Sequence, residues 1–245
     1  MPACPAQAPD VASLKVKLFA DGADKKTMLE LYANPHIQGF TTNPTLMRKA
    51  GIADYEAFAK DIVSVIPDRH ISLEVFADEL DEMERQARKI ATFGANVYAK
   101  IPVTNTKRVA TSAMVRRLSR DGVKLNVTAI LTMPQVEEVI AALDGGAPSC
   151  VSIFAGRIAD TGVDPLPMMT EAVEMTKPHP GMEIIWASPR ELLNVFQADQ
   201  IGCQIITATA DILKKLSLVG KDLDGYSLET VQMFYQDASA SAYKL

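Results

Sequence analysis

ISLEVFADELDEMERQARKIATFGANVYAKI, residues 71–101, holds the fold in miniature. The stretch opens at 71–76 and closes at 96–101 with short apolar or β-branched runs of the kind that form buried strands. Between them Leu80, Met83, Ala87 and Ile90 recur at spacings of three and four, while Glu82, Glu84, Arg85 and Arg88 fill the opposite face. That periodicity predicts a helix lying on a sheet. Strand, helix and strand within about 30 residues make a parallel βαβ unit.

Outward from this unit the same alternation continues. Further strands are predicted at 15–20, 37–42, 123–129, 149–154, 182–188 and 202–208, and Ala110, Ala113, Met114 and Leu118 mark a second sheet-packed helix. Eight parallel strands with intervening helices close most economically into a ring, so the expected fold is α/β, a (β/α)8 barrel. An open doubly wound sheet is the rival. It is weakened because Asp21-Gly22-Ala23-Asp24 stands where a Gly-x-Gly-x-x-Gly turn would follow the first strand. No Gly/Ser-rich linker divides the chain, which predicts one domain over 14–245. Residues 1–13, with prolines at 2, 5 and 9, lack a basic start and an apolar core and are expected to be a flexible leader rather than a secretion signal. Leu228, Val231, Phe234 and Tyr235 share one face of an expected extra helix over 227–243, which either caps its own barrel or reaches another copy.

Bulk properties narrow the function. Of the 245 residues 48% are hydrophobic and 22% charged, with no apolar run of membrane-spanning length. A net charge of -5 without blocks of like charge argues against nucleic acid and gives no reason for membrane attachment. Cys4, Cys150 and Cys203 are odd in number and far apart, which suggests neither disulfides nor a zinc knuckle and fits a reducing cytoplasm. His36, His70 and His179 are too dispersed for a metal site, and the eleven methionines fall at core-like spacings. No metal and no cofactor are expected.

In such a barrel the chemistry sits where the strands end, so polar residues at C-terminal strand ends are the informative ones. Asp21, Asn43, Glu74, Lys100, Asn126, Thr128, Ser152 and Ser188 all lie at or just beyond predicted strand ends. Lys100 stands out in the apolar run Val97 to Val103. An amine held inside a barrel loses hydration, which favours its neutral, nucleophilic form. The bland alternative is a lysine that reaches back to solvent. Asp21 and Glu74 would supply the proton transfers that carbonyl–amine chemistry needs. Each could equally be a salt-bridge partner. Asn43, Asn126, Thr128 and Ser152 suit hydroxyl groups or a water, or serve as loop caps. Arg157, after strand six, and Arg190, expected to open the helix after strand seven, suit a phosphate, though one of them paired to Asp160 or Glu191 would be structural.

These motifs resemble the transaldolase family and its relatives, the fructose-6-phosphate aldolases. The matching pieces are Thr41-Thr42-Asn43-Pro44-Thr45-Leu46, Ile71-Ser72-Leu73-Glu74-Val75, Ala99-Lys100-Ile101-Pro102, Leu125-Asn126-Val127-Thr128, Ser152 to Asp160 and Ala187-Ser188-Pro189-Arg190. The resemblance implies a class I aldolase-like barrel and a Schiff base on Lys100. It implies Asp21 as acid/base at C–C cleavage and Glu74 with Thr128 on a catalytic water. Asn43, Asn126 and Ser152 would hold a dihydroxyacetone unit, with Arg157, Ser188 and Arg190 on a phosphate. Aldolase members carry Gln where this chain has Glu74 and Tyr where it has Phe154, so transfer to an aldose is expected over release as a lyase. Ile153 and Ala155 depart from the common Ser-Pro-Phe-Val-Gly-Arg run and leave the sugar open, sulfonated ones included. By the same resemblance the C-terminal helix would join a homo-oligomer. A barrel that binds sugar phosphates without turnover is the reading from another class, and the retention of Lys100 with both carboxylates speaks against it.

Overall fold

The computed structural model describes residues 10–241 and 243. The leader expected over 1–13 lies, for residues 1–9, outside the described residues, while Val11–Ser13 form one turn of 3-10 helix.

Two compact units divide the chain, one formed by Leu14–Lys214 and the other by Met1–Ser13 with Lys215–Leu245. The first holds a closed barrel of eight parallel strands: β1 (Lys17–Asp21), β2 (Ile37–Thr41), β3 (His70–Glu74), β4 (Val97–Pro102), β5 (Leu125–Ile130), β6 (Ser149–Ile153), β7 (Met182–Ala187) and β8 (Ile205–Thr209). Each strand pairs with the next, and β8 returns to β1 from Lys17↔Ile205 to Asp21↔Thr209. The open-sheet rival is thereby excluded.

Strand positions follow the expected ones, with shifts that have local causes. β8 begins at Ile205 rather than 202 because Gly202 takes φ +75° in the preceding turn. β1 begins at Lys17 because the backbone N–H groups of Lys15 and Val16 donate to the Asp199 carboxylate instead of a neighbouring strand. The helix Leu80–Ala91 buries Met83, Ala87 and Ile90, as the pattern requires. The next helix is Ser112–Arg120, which excludes Ala110; that residue bridges Thr104 in antiparallel fashion.

Side chains alternate across a strand, so one set from each strand fills the barrel. On β1 this set contains Phe19 and Asp21, on β3 His70, Ser72 and Glu74, and on β4 Tyr98 and Lys100. Phe19 packs with Cys150, Ile185, Ala187 and Ile205 into the apolar part of the interior. Its ring fits only because β2 carries Gly39 beside it, where a Cβ would lie 2.5 Å from the ring. On β3, by contrast, the inner residues are polar from the start of the strand.

In the second unit the helix is Leu223–Ala240. It starts four residues before the expected 227 because Asp222 caps it, accepting from Gly225 N at 2.7 Å. None of its residues is buried.

Gly39→Ala is expected to destabilise the protein by about 1–3 kcal/mol through overpacking against Phe19. Urea unfolding measures it, and adding Phe19→Leu should recover part of the loss.

Candidate active site

Register brings the polar strand ends together. Glu74 pairs with Lys100 and Lys100 with Asn126 across β3, β4 and β5. They therefore share one level at the C-terminal end of the barrel, where a cavity of about 340 Å³ opens. Nine of the expected site residues line it: Asp21, Asn43, Lys100, Thr128, Ser152, Phe154, Arg157, Ser188 and Arg190. Glu74 and Asn126 do not. Glu74 stands behind the amine of Lys100, and Asn126 is fully buried between two serines.

Lys100 is 6% exposed and does not reach back to solvent. Its Nζ lies 3.0 Å from Glu74 Oε2 and donates to Thr42 O at 3.1 Å. A proton leaving the amine has a carboxylate to go to without crossing the cavity. Glu74 is oriented in turn by its place on β3, where its carbonyl accepts from Tyr55 Oη at 2.8 Å.

Across the cavity Asp21 is held by a pair of hydroxyls. Thr41 Oγ1 donates to Asp21 Oδ1 at 2.7 Å, and Thr207 Oγ1 lies 2.6 Å from Thr41 Oγ1. Thr41 has one hydrogen and gives it to the carboxylate, so Thr207 donates to Thr41. Burial pushes the Asp21 carboxyl above its ordinary value of 3.8, against the charge of Lys100 and the Thr41 hydrogen bond, which pull it down. Such a carboxyl takes and returns a proton more readily than an ordinary aspartate at the same pH.

The remaining rim groups lie where regular strands give way to turns and helix starts. The pairing of β5 with β6 slips between Val127 and Ile130, and Ala129 there takes φ +63°. Thr128, just before Ala129 and two residues after Asn126, faces the cavity by ordinary strand alternation, and its buried hydroxyl has no protein partner. Asn43 sits before the helix Pro44–Lys49 and caps it, accepting from Leu46 N at 2.9 Å. Ser188, with φ +60°, ends β7 and swings the chain sideways. Arg190 was expected in a helix but lies in the loop before Leu193–Gln200, because the Asn194 side chain accepts from the N–H groups of Arg190 and Glu191.

The two arginines differ. Arg190 is clamped, with Nε donating to Asp160 Oδ1 at 2.8 Å, the second fork nitrogen on Oδ2, and Nη1 donating to Ser188 Oγ at 3.0 Å. Of the two structural pairings considered for an arginine, the one with Asp160 is realised. Arg157 lies over the Phe154 ring, 5.3 Å from its centre. Gly156 holds the two segments in contact: a Cβ there would sit 1.6 Å from the Ser188 carbonyl oxygen.

Thr41, Thr207, Thr42 and Ser72 were not singled out from the sequence. The signal was present for Thr41 and Thr207 as inward-facing polar residues on apolar strands, but their hydrogen bonds join β1, β2 and β8, which meet only when the ring closes.

The profile of the family described as Transaldolase/Fructose-6-phosphate aldolase matches residues 18–244. A protein named "Probable transaldolase" from Dehalococcoides mccartyi is 34% identical over 203 residues, covering 82% of this chain and 90% of the relative. One of the same name from Methanococcus maripaludis is 35% identical over 203 residues, covering 82% and 89%. Among solved structures, a 2,3-dimethylmalate lyase superposes with a TM-score of 0.56 at 14% identity, over 95% of this chain and 86% of the other. KGPDC from Streptococcus mutans superposes with 0.55 at 13% identity, over 82% and 90%. At these identities the structural likenesses show the barrel alone.

Because the folded-state value of Asp21 is raised, its ionisation weakens the fold as pH climbs from 3.8 through its folded value, and the cost stays in place above that. Asp21→Asn, which keeps the oxygen that accepts from Thr41, should gain on the order of 1 kcal/mol at neutral pH. Chemical unfolding at a series of pH values should show the gain vanish below 3.8.

Proposed function

The chain belongs to the transaldolase/fructose-6-phosphate aldolase family, and from that premise we propose that it moves a dihydroxyacetone unit from a ketose phosphate to an aldose acceptor through a Schiff base on Lys100. The observation that carries this reading is the Lys100 amine, buried at the cavity floor beside Glu74 and facing Asp21 across the same space.

The steps follow from those positions. The amine adds to the ketose carbonyl, and loss of water from the carbinolamine gives an imine whose positive charge draws electrons from the adjoining C–C bond. Asp21 takes the proton from the hydroxyl on the far carbon as that bond breaks and the first aldehyde leaves. The enamine left on Lys100 attacks the acceptor aldehyde, and Asp21 returns the proton to the new hydroxyl. Water adds to the product imine to free the amine, with Glu74 handling its protons and the unpartnered Thr128 hydroxyl positioned to hold it. Asn43 and Ser152 serve the three-carbon unit, with Asn126 holding Ser152 from behind, and Arg157, Ser188 and Arg190 serve the phosphate, with the Asp160 clamp keeping the Arg190 fork in place. Sedoheptulose 7-phosphate and fructose 6-phosphate are the donors, and glyceraldehyde 3-phosphate and erythrose 4-phosphate the acceptors, to test first.

Glu74 supports transfer over release, because a carboxylate beside the amine keeps proton traffic local while the enamine waits for an acceptor, and Phe154 supports it through the family resemblance alone. A homo-oligomer joined through the helix Leu223–Ala240 fits that helix's exposed apolar side chains, among them Val231, Phe234 and Tyr235. A cytoplasmic place in sugar-phosphate metabolism fits the free, buried Cys150 and Cys203. Among the described residues no helix is long and apolar enough to cross a membrane.

Borohydride reduction in the presence of fructose 6-phosphate should leave a stable three-carbon adduct on the Lys100 peptide by mass spectrometry. An adduct on Lys107 or Lys124 instead would refute the assignment. Lys100→Arg keeps the charge but forms no imine, so turnover should disappear. Asp21→Asn should lose about 10²–10⁴-fold in kcat, the usual worth of an acid/base group, while imine trapping persists.

A further inference from the structure

A row of polar side chains runs from Ser152 at the cavity down the barrel interior, and its lower members, His70 and Ser72, have no task in the reaction above. His70, at the start of β3, stacks on Tyr98 with ring centres 3.7 Å apart and meets Phe19 edge-on at 4.9 Å. Its Nε2 lies 2.7 Å from Ser72 Oγ. Ser72 Oγ accepts from Asn126 Nδ2 at 2.9 Å, and Asn126 Oδ1 accepts from Ser152 Oγ at 2.7 Å. Ser72 and Asn126 are fully buried, whereas Ser152 lines the cavity.

A hydroxyl has one hydrogen to give. Ser72 receives the amide N–H of Asn126; if Nε2–H of His70 donated to it as well, the fully buried Ser72 hydroxyl would be left without an acceptor for its own hydrogen, so that hydrogen goes to His70 Nε2, which acts as acceptor while Nδ1 carries the ring proton. The imidazole stays neutral, because burial, with the charges of Lys17 and Lys124, pushes it down to about 3. All the hydrogen bonds of the row then point one way, from the cavity toward the barrel's base. The hydrogen of Ser152 is committed inward, and its oxygen meets the cavity with lone pairs.

We propose that His70 is a positioning residue, the acceptor at the foot of the row that sets the direction of the Ser72, Asn126 and Ser152 hydrogen bonds and so makes Ser152 an acceptor for a hydroxyl of the donor sugar. The identity of that sugar rests on the transaldolase reading; the direction of the row does not. The opposite arrangement is internally consistent and exclusive of this one. In it Nε2–H donates to Ser72, the Asn126 amide is turned over, and Ser152 becomes a donor that prefers a carbonyl or phosphoryl oxygen. A buried, fully connected row has room for one polarity at a time.

Two measurements on the intact protein separate these cases. In ¹⁵N spectra the His70 ring should show a protonated Nδ1 and an acceptor-type Nε2; a protonated Nε2 overturns the proposal. In the transfer assay His70→Phe, which keeps the stack on Tyr98, should raise the donor KM about fivefold, the worth of one neutral hydrogen bond. The acceptor KM should not change, and His70→Gln, whose side-chain oxygen can accept from Ser72, should recover part of the loss. In a Ser152→Ala background His70→Phe should have no further effect. An equal effect in that background, or one spread over kcat and both KM values, would show a merely structural role. Should His70→Phe fail to fold, the ¹⁵N result on the wild-type protein decides the matter. A wild-type protein inactive in transfer would defeat the functional reading and leave the tautomer result standing.

Discussion

A primary amine held away from water in the middle of a closed barrel is the constraint around which the rest of this structure is arranged. An unpaired ammonium in such surroundings carries a cost that few folds tolerate. The barrel meets it at one level: Glu74 takes the amine from the neighbouring strand and the carbonyl of Thr42, just past the end of β2, accepts from it. Placing the acid on the adjacent parallel strand, in register, makes the contact a property of the sheet itself. The apolar half of the interior, centred on Phe19 and made possible by Gly39, keeps that level dry from beneath.

The two carboxylates near the amine are placed in different environments, and the difference separates their tasks. Glu74 touches the nitrogen. Asp21 faces the cavity, with burial opposing its charge and two threonines softening that opposition. On the proposed reading one serves protons on the amine and its water and the other protons on the substrate's carbon-borne hydroxyl, a division argued from position and solvation rather than from residue type.

The architecture was largely legible in the chain, because parallel strands buried on both faces write themselves as apolar runs and the covering helices as a three-four repeat. The candidate site was legible for a related reason: Lys100, Asp21 and Glu74 break an apolar rule at strand ends. What escaped depends on partners distant in sequence. Thr41 and Thr207 are 166 residues apart, and nothing local distinguishes them from the many threonines that simply favour strands. His70 read as a strand-start histidine because its partner Ser72 is ordinary and the row beyond it exists only across three strands. The position of Arg190 was misplaced by a helix start that Asn194 delays, a capping choice made four residues downstream. Asn126, expected to face the substrate directly, lies outside the cavity lining and is bonded on both sides of its amide, to Ser72 and Ser152.

The junction of β8 with β1 also has a temporal side. Asp21 is translated among the first residues of the barrel, whereas Thr207, which donates to the hydroxyl that steadies it, belongs to the last strand to leave the ribosome. A nascent chain with seven strands already carries the amine and both acids, yet the seam that aligns Asp21 has not been stitched. The setting of the carboxylate that faces Lys100 is therefore completed only when the last strand arrives, so the first and last parts of the barrel to be made finish this level together.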